Sequence, residues 1–201
     1  MPRILSQSDV ADFRERLCVA ATRMFDARGP EGFTMRELAA ELGVSAMTPY
    51  RYFKDKEDIL AAVRARAFNR FAEALESAFQ TEGNALKRSE AVYHAYLRFA
   101  FGEPAAYKLM FDLAQPDESH YPELVQANSR ARATMTDYVK LLVEEGHFEG
   151  DPNLIGHVFW AALHGSIVLK LAGKLGADYT FERISEESFR VLFKAYRAKK
   201  A

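Results

Sequence analysis

Cysteine is nearly missing: Cys18 is the only one in 201 residues. That excludes a disulfide framework and any cysteine-built zinc site. It also suggests a chain kept in a reducing compartment, with Cys18 as a small core residue. Strand signals are as scarce. No Asn-Gly or Asp-Gly hairpin turn occurs and no sustained run alternates apolar with polar residues, so a sheet has little to build on. An excess of one charge is absent too. Lys+Arg 27 against Asp+Glu 28 leaves a net charge of -1, which rules out a polybasic nucleic-acid coat but leaves room for a local patch. Residues 1–22 are studded with charges from Arg3 to Arg16 and hold no apolar segment, so no secretory leader is expected. The longest uncharged stretch lies between Asp151 and Lys170, interrupted by Pro152, Asn153, His157, His164 and Ser166. A buried helix is expected there rather than a membrane span, in a cytoplasmic, nucleoid-associated protein with no membrane partner.

Catalytic signatures are missing as well. There is no GxSxG, HExxH or CxxC, no phosphate-binding GxxxxGK[ST] and no dinucleotide glycine fingerprint, so no catalysis and no cofactor are expected. His157 and His164 stand seven apart without a visible third ligand, and no metal site is expected.

What is there is helical periodicity, in a chain that is 49% hydrophobic and 27% charged. Phe13, Leu17, Ala20, Ala21, Met24 and Phe25 fall on one helix face. Thr34 and Glu37 form a capping box three residues apart, with Phe33 placed to staple onto Leu38. Gly43 ends that helix after about two turns. Ser45 offers a cap for a third short helix to about Phe53, and Asp55 for a long fourth one to about Phe79. Further helices are expected near 86–101, 104–111, 122–145, 151–175 and 180–199, nine in all, with 115–119 as a loop. The fold class is therefore all-α. The chain divides into an N-terminal three-helix unit, residues 1–66, and a larger C-terminal helical bundle, residues 67–201.

Residues 33–53 have the layout of a helix-turn-helix: two short helices joined by a glycine-containing turn. The third helix is poor in acids and rich in groups that donate to phosphates and base edges. With its flanks, this stretch resembles the TetR family of transcriptional regulators. The likeness runs from Phe13 to Phe25 and through Gly29, Gly32-Phe33-Thr34, Arg36-Glu37-Leu38-Ala39, Leu42-Gly43-Val44-Ser45, Tyr50, Tyr52-Phe53, Lys56, Glu57 and Leu60. The resemblance implies DNA binding. Thr34 and Lys56 would hold phosphates, as would Tyr52. Arg36, Thr48, Tyr50 and Arg51 would face bases or adjoining phosphates, with Ser45, Ala46 and Met47 opening the recognition helix. Pro49 departs from the family, which has Leu, Val or Ile there. Either the first turn is loose, or Thr48 caps and Pro49 is the first helical residue.

Trp160, His164 and Gly165 are similar to the Trp-x-x-x-His-Gly signature of one C-terminal domain type in that family. This implies ligand sensing and dimerisation. Tyr93 and Phe101, with Tyr96, Phe99, Tyr107, Met110, Phe111, Trp160 and His164, are the candidates for a pocket taking a small apolar or amphipathic effector. Gly165, Leu169, Phe189, Leu192, Phe193 and Tyr196 are the candidates for a homodimer interface. The expected function is a ligand-responsive repressor that binds double-stranded DNA at a palindromic operator. The alternatives are a helical interaction module without DNA binding, and a metal-dependent enzyme on a helical bundle.

Overall fold

The computed structural model describes residues 6–29, 32–111 and 117–199. Among them stand eight α-helices, two 3-10 turns and one isolated bridge between Phe148 and Arg197. The helices are α1 (Gln7–Arg28), α2 (Met35–Glu41), α3 (Lys56–Phe79), α4 (Ala85–Gly102), α5 (Pro104–Phe111), α6 (Pro122–Glu144), α7 (Pro152–Leu171) and α8 (Phe181–Tyr196). The all-α reading is correct. Two helix ends fall short of expectation. α7 stops before 175, and α8 stops at Tyr196, whose carbonyl accepts the Glu149 amide at 2.9 Å instead of a bond from its own helix. Of the expected 115–119 loop, Gln115 and Pro116 lie outside the described residues, while Glu118–His120 is a 3-10 turn.

The chain forms two compact units, Met1–Arg70 with Ala105–Ser129 and Phe71–Pro104 with Arg130–Ala201. This differs from a cut at residue 66, because 105–129 packs with the N-terminal part. The reason is visible in the first unit's core. Leu109 of α5 joins Leu17, Leu38, Phe53 and Ile59 in one buried cluster. Arg64 of α3, 4% exposed, donates to Glu118 at 2.5 Å, and Asn128 donates to the other Glu118 oxygen at 2.7 Å. A buried guanidinium without such a partner would cost several kcal/mol, roughly 3–5.

The second unit is built around Val139 and Leu142 of α6, Ile155 and Phe159 of α7, and Phe148, with α8 packed against them. α6 and α7 approach closely at Gly156, where a Cβ would sit 2.7 Å from the Met135 carbonyl oxygen. Phe71 meets Tyr96 and Phe99 of α4 edge-on, at centroid distances of 5.0 and 5.2 Å.

Candidate nucleic-acid interface and ligand cavity

In the first unit α2 begins as its sequence dictates. The Thr34 hydroxyl accepts the Glu37 amide at 3.2 Å, and the Glu37 carboxylate accepts the Thr34 amide at 2.8 Å. The Thr34 amide first, and then the Thr34 hydroxyl donating to the same carboxylate at 3.0 Å, hold the Glu37 carboxyl below its usual range. Phe33 and Leu38 both lie in the core, as a staple requires. Gly43 then turns the chain with φ of 65°, a left-handed conformation that costs a side-chain-bearing residue about 1–2 kcal/mol.

The expected third α-helix does not form. Residues 45–48 make a turn, and only Pro49–Arg51 is helical, as a 3-10 turn. Pro49 has no N–H to return to the Ser45 carbonyl, so that carbonyl accepts the Thr48 amide at 2.9 Å instead. Pro49 is the first helical residue, with Thr48 before it. Thr48 makes no side-chain cap; its hydroxyl meets that of Ser45 at 2.9 Å.

The remaining predicted DNA residues sort by exposure. Thr34, Arg36, Ser45, Ala46, Met47, Tyr50 and Arg51 are exposed, Met47 to 68%. Thr48 is half-buried. Tyr52 is drawn inward: its ring packs on Phe13 at 4.7 Å and its carbonyl accepts Arg14 at 2.6 Å. Lys56 opens α3 with its ammonium 5.1 Å from the Phe33 ring centroid. From residue 42 to residue 54 there is no acid. A surface of hydroxyls, a phenol and guanidinium groups thus sits on a rigid core.

The second unit encloses a cavity of about 280 Å³. Its walls come from α4, α6, α7 and α8, and from Phe148 before α7. Tyr96 and Trp160 line it as expected, the indole N–H donating to the Tyr96 hydroxyl at 3.0 Å. Tyr93 lines it too; the other predicted ligand residues do not. Phe99 and His164 lie outside the wall, and burial pushes the His164 imidazole pKa down. Tyr107, Met110 and Phe111 belong to the first unit, where the first two are buried and Tyr107 packs on Phe111 at 5.1 Å. Aromatic and methionine side chains at helical spacing serve a core as readily as a pocket, and here they serve the core.

Some predicted dimer residues also turn inward. Phe189 and Phe193 line the cavity and meet Phe159 at 5.3 and 5.5 Å, and Tyr196 packs on the same ring. Leu192 is half-buried against the same cluster. Gly165 and Leu169 do face outward: a Cβ on Gly165 would meet nothing within 4 Å, and Leu169 is 44% exposed. Sequence reasoning passed over Glu90, Met135, Tyr138, Phe148 and Phe159 as cavity residues. Met135 and Tyr138 stand three apart on α6, a spacing that signals a shared face without saying whether it meets a core or a hollow. His157 is engaged within its own helix, its Nδ1 2.7 Å from the Asn153 carbonyl.

Comparison with known proteins agrees with this geometry. The model of the tetR family of bacterial regulatory proteins matches residues 17–63, and that of a tetracyclin repressor-like C-terminal domain matches residues 89–196. An HTH-type transcriptional regulator of Staphylococcus aureus is 38% identical over 65 residues, 32% of this chain and 35% of that protein. The match thus spans about a third of the length of such curated relatives. A solved structure of a protein with unknown function from Rhodococcus sp. RHA1 has a TM-score of 0.79 at 25% identity, covering 98% of this chain and 99% of that one. The fatty acid degradation regulator FadR of Bacillus halodurans shares the fold at a TM-score of 0.72 and 16% identity, over 91% of this chain and 99% of its own. With family models matching both the helix-turn-helix and, over more than half its length, the C-terminal bundle, the chain belongs to the TetR family.

Proposed function

We propose that this chain is a transcriptional regulator, a repressor that binds a palindromic operator as a homodimer and responds to a small-molecule effector rather than catalysing a reaction. The observation that carries the reading is the acid-free turn presenting Met47, Tyr50 and Arg51 outward from a head whose core is closed. Phosphate contacts from Thr34 and Lys56 would supply most of the affinity, and Arg36, Tyr50 and Arg51 the discrimination between bases.

Dimerisation is supported by the outward side of α7 and α8. Leu154, Val168, Leu169 and Val191 are 59, 43, 44 and 49% exposed, and covering such a patch is favourable in water. The effector is supported by the cavity of the second unit. α3 runs without a break through the boundary between the units at Arg70 and Phe71, so a ligand that binds best when the two heads are wrongly spaced shifts the population away from DNA.

Selection of binding sites from a random duplex pool tests the reading. It should return a palindrome whose half-sites are about 34 Å apart, or a multiple of that. A pool that never enriches at low salt, or a strictly monomeric protein in sedimentation, overturns it.

A further inference from the structure

We propose that the effector is a cation: an apolar, aromatic-sized body carrying a basic nitrogen, its body in the cavity of the second unit and its charge at Glu90 and Glu186. The inference rests on the reading of that cavity as the effector site.

Three observations carry it. First, among the residues lining the cavity, Glu90 and Glu186 alone are charged, and both are acids. They are exposed, one on α4 and one on α8, and so stand at the rim rather than within. Along those helices His94 lies 3.9 Å from Glu90 and Lys87 stands three residues before it, neither of them in the lining, while two arginines are engaged elsewhere. Arg88 donates to the Gly83 carbonyl at 3.2 Å, and Arg190 pairs with Glu187 at 2.7 Å. An anionic headgroup would meet like charge with no cation in the wall to answer it.

Second, the walls are ring-rich, with Tyr93, Tyr96, Tyr138, Phe159, Trp160 and Phe189 among them. Aromatic faces attract an organic cation and its apolar body together. Third, the interior holds a polar atom awaiting a partner. The Trp160 N–H is spent on Tyr96, and the Tyr93 hydroxyl on Ser185 at 3.1 Å. The Tyr138 hydroxyl lines the same space and makes no hydrogen bond among the described residues. Tyr138 is half-buried and its oxygen keeps some accessible surface, so it stays open to a ligand or to water within the cavity.

The test compares three probes of one shape by calorimetry on the full chain: 2-(2-naphthyl)ethylamine, 2-ethylnaphthalene and 2-naphthylacetate. The ammonium should bind about ten-fold tighter than the carboxylate, and E90Q/E186Q should remove about that factor while leaving 2-ethylnaphthalene unchanged. Both glutamates are exposed, so the double variant should melt as the parent does. Carboxylate binding equal to or tighter than the ammonium, or unchanged ammonium binding in E90Q/E186Q, overturns the cationic class while leaving the cavity as the effector site. If none of the three binds, the cavity reading falls with it.

Discussion

The two units solve opposite packing problems with different side chains. The first packs its core with Leu17, Ala20, Ala21, Leu38, Ile59 and Val63, small and branched groups set among Phe25, Phe33 and Phe53. The second relies on Phe148, Phe159, Phe189, Phe193 and Trp160. Large rigid rings touch at their edges, as Phe148 and Phe193 do at 4.9 Å, and cannot deform to fill what lies between them. A hollow remains. The difference teaches that a reading head needs one fixed surface, whereas a sensor needs stable walls around unfilled space.

Three substitutions would break or sharpen that contrast. The largest effect belongs to Leu38→Ala in the closed core, which should cost about 2–5 kcal/mol. Hydrogen exchange should show amides of α1 and α2 losing protection while those around Phe159 keep theirs; equal loss in both units would erase the distinction. Next comes Gly156→Val, which drives a Cβ toward the Met135 carbonyl and should cost about 1–3 kcal/mol in the second unit. Gly165→Ala on the same helix should change the melting free energy by about 0.5 kcal/mol or less.

The DNA face should respond in two distinguishable ways. Arg51→Ala should lose about 1–3 kcal/mol of preference for operator over scrambled duplex in competition binding. Lys56→Ala should weaken all sequences alike and lower the salt slope by about one. A sequence-selective loss from Lys56→Ala would contradict its phosphate role. Thr34→Ala should remove about 1 kcal/mol of cap stability in urea unfolding. Because the folded pKa of Glu37 is depressed, its contribution is present above the unfolded carboxylate value and lost as pH falls through the folded one. Thr34→Ala should therefore flatten that acid-side decline.

Local signals carried far along this chain. The capping box at Thr34 and Glu37 and the stripe of α1 were both legible, because each depends on neighbours within a few turns. Pro49 was legible as a problem but not as an outcome. Whether a chain without one amide keeps an α-turn or tightens into 3-10 depends on where the Thr48 amide and the Ser45 hydroxyl find partners. The cavity was the least legible. Tyr107 and Tyr96 look alike in sequence, and only long-range packing sends the first to the head's core and the second to the hollow. For the same reason the apolar stripe of α8 reads equally well as an interface or as an inner wall.

The solitary thiol has a practical use. Cys18 is 3% exposed within the head's core, and burial pushes its pKa up, so it is unreactive while the head stays shut. An alkylating reagent can reach it only when α1 lifts from its neighbours, and no other sulfhydryl competes for the label. The unaltered protein thus carries its own stopwatch for how often the reading surface comes apart, and for how far a bound duplex slows that event.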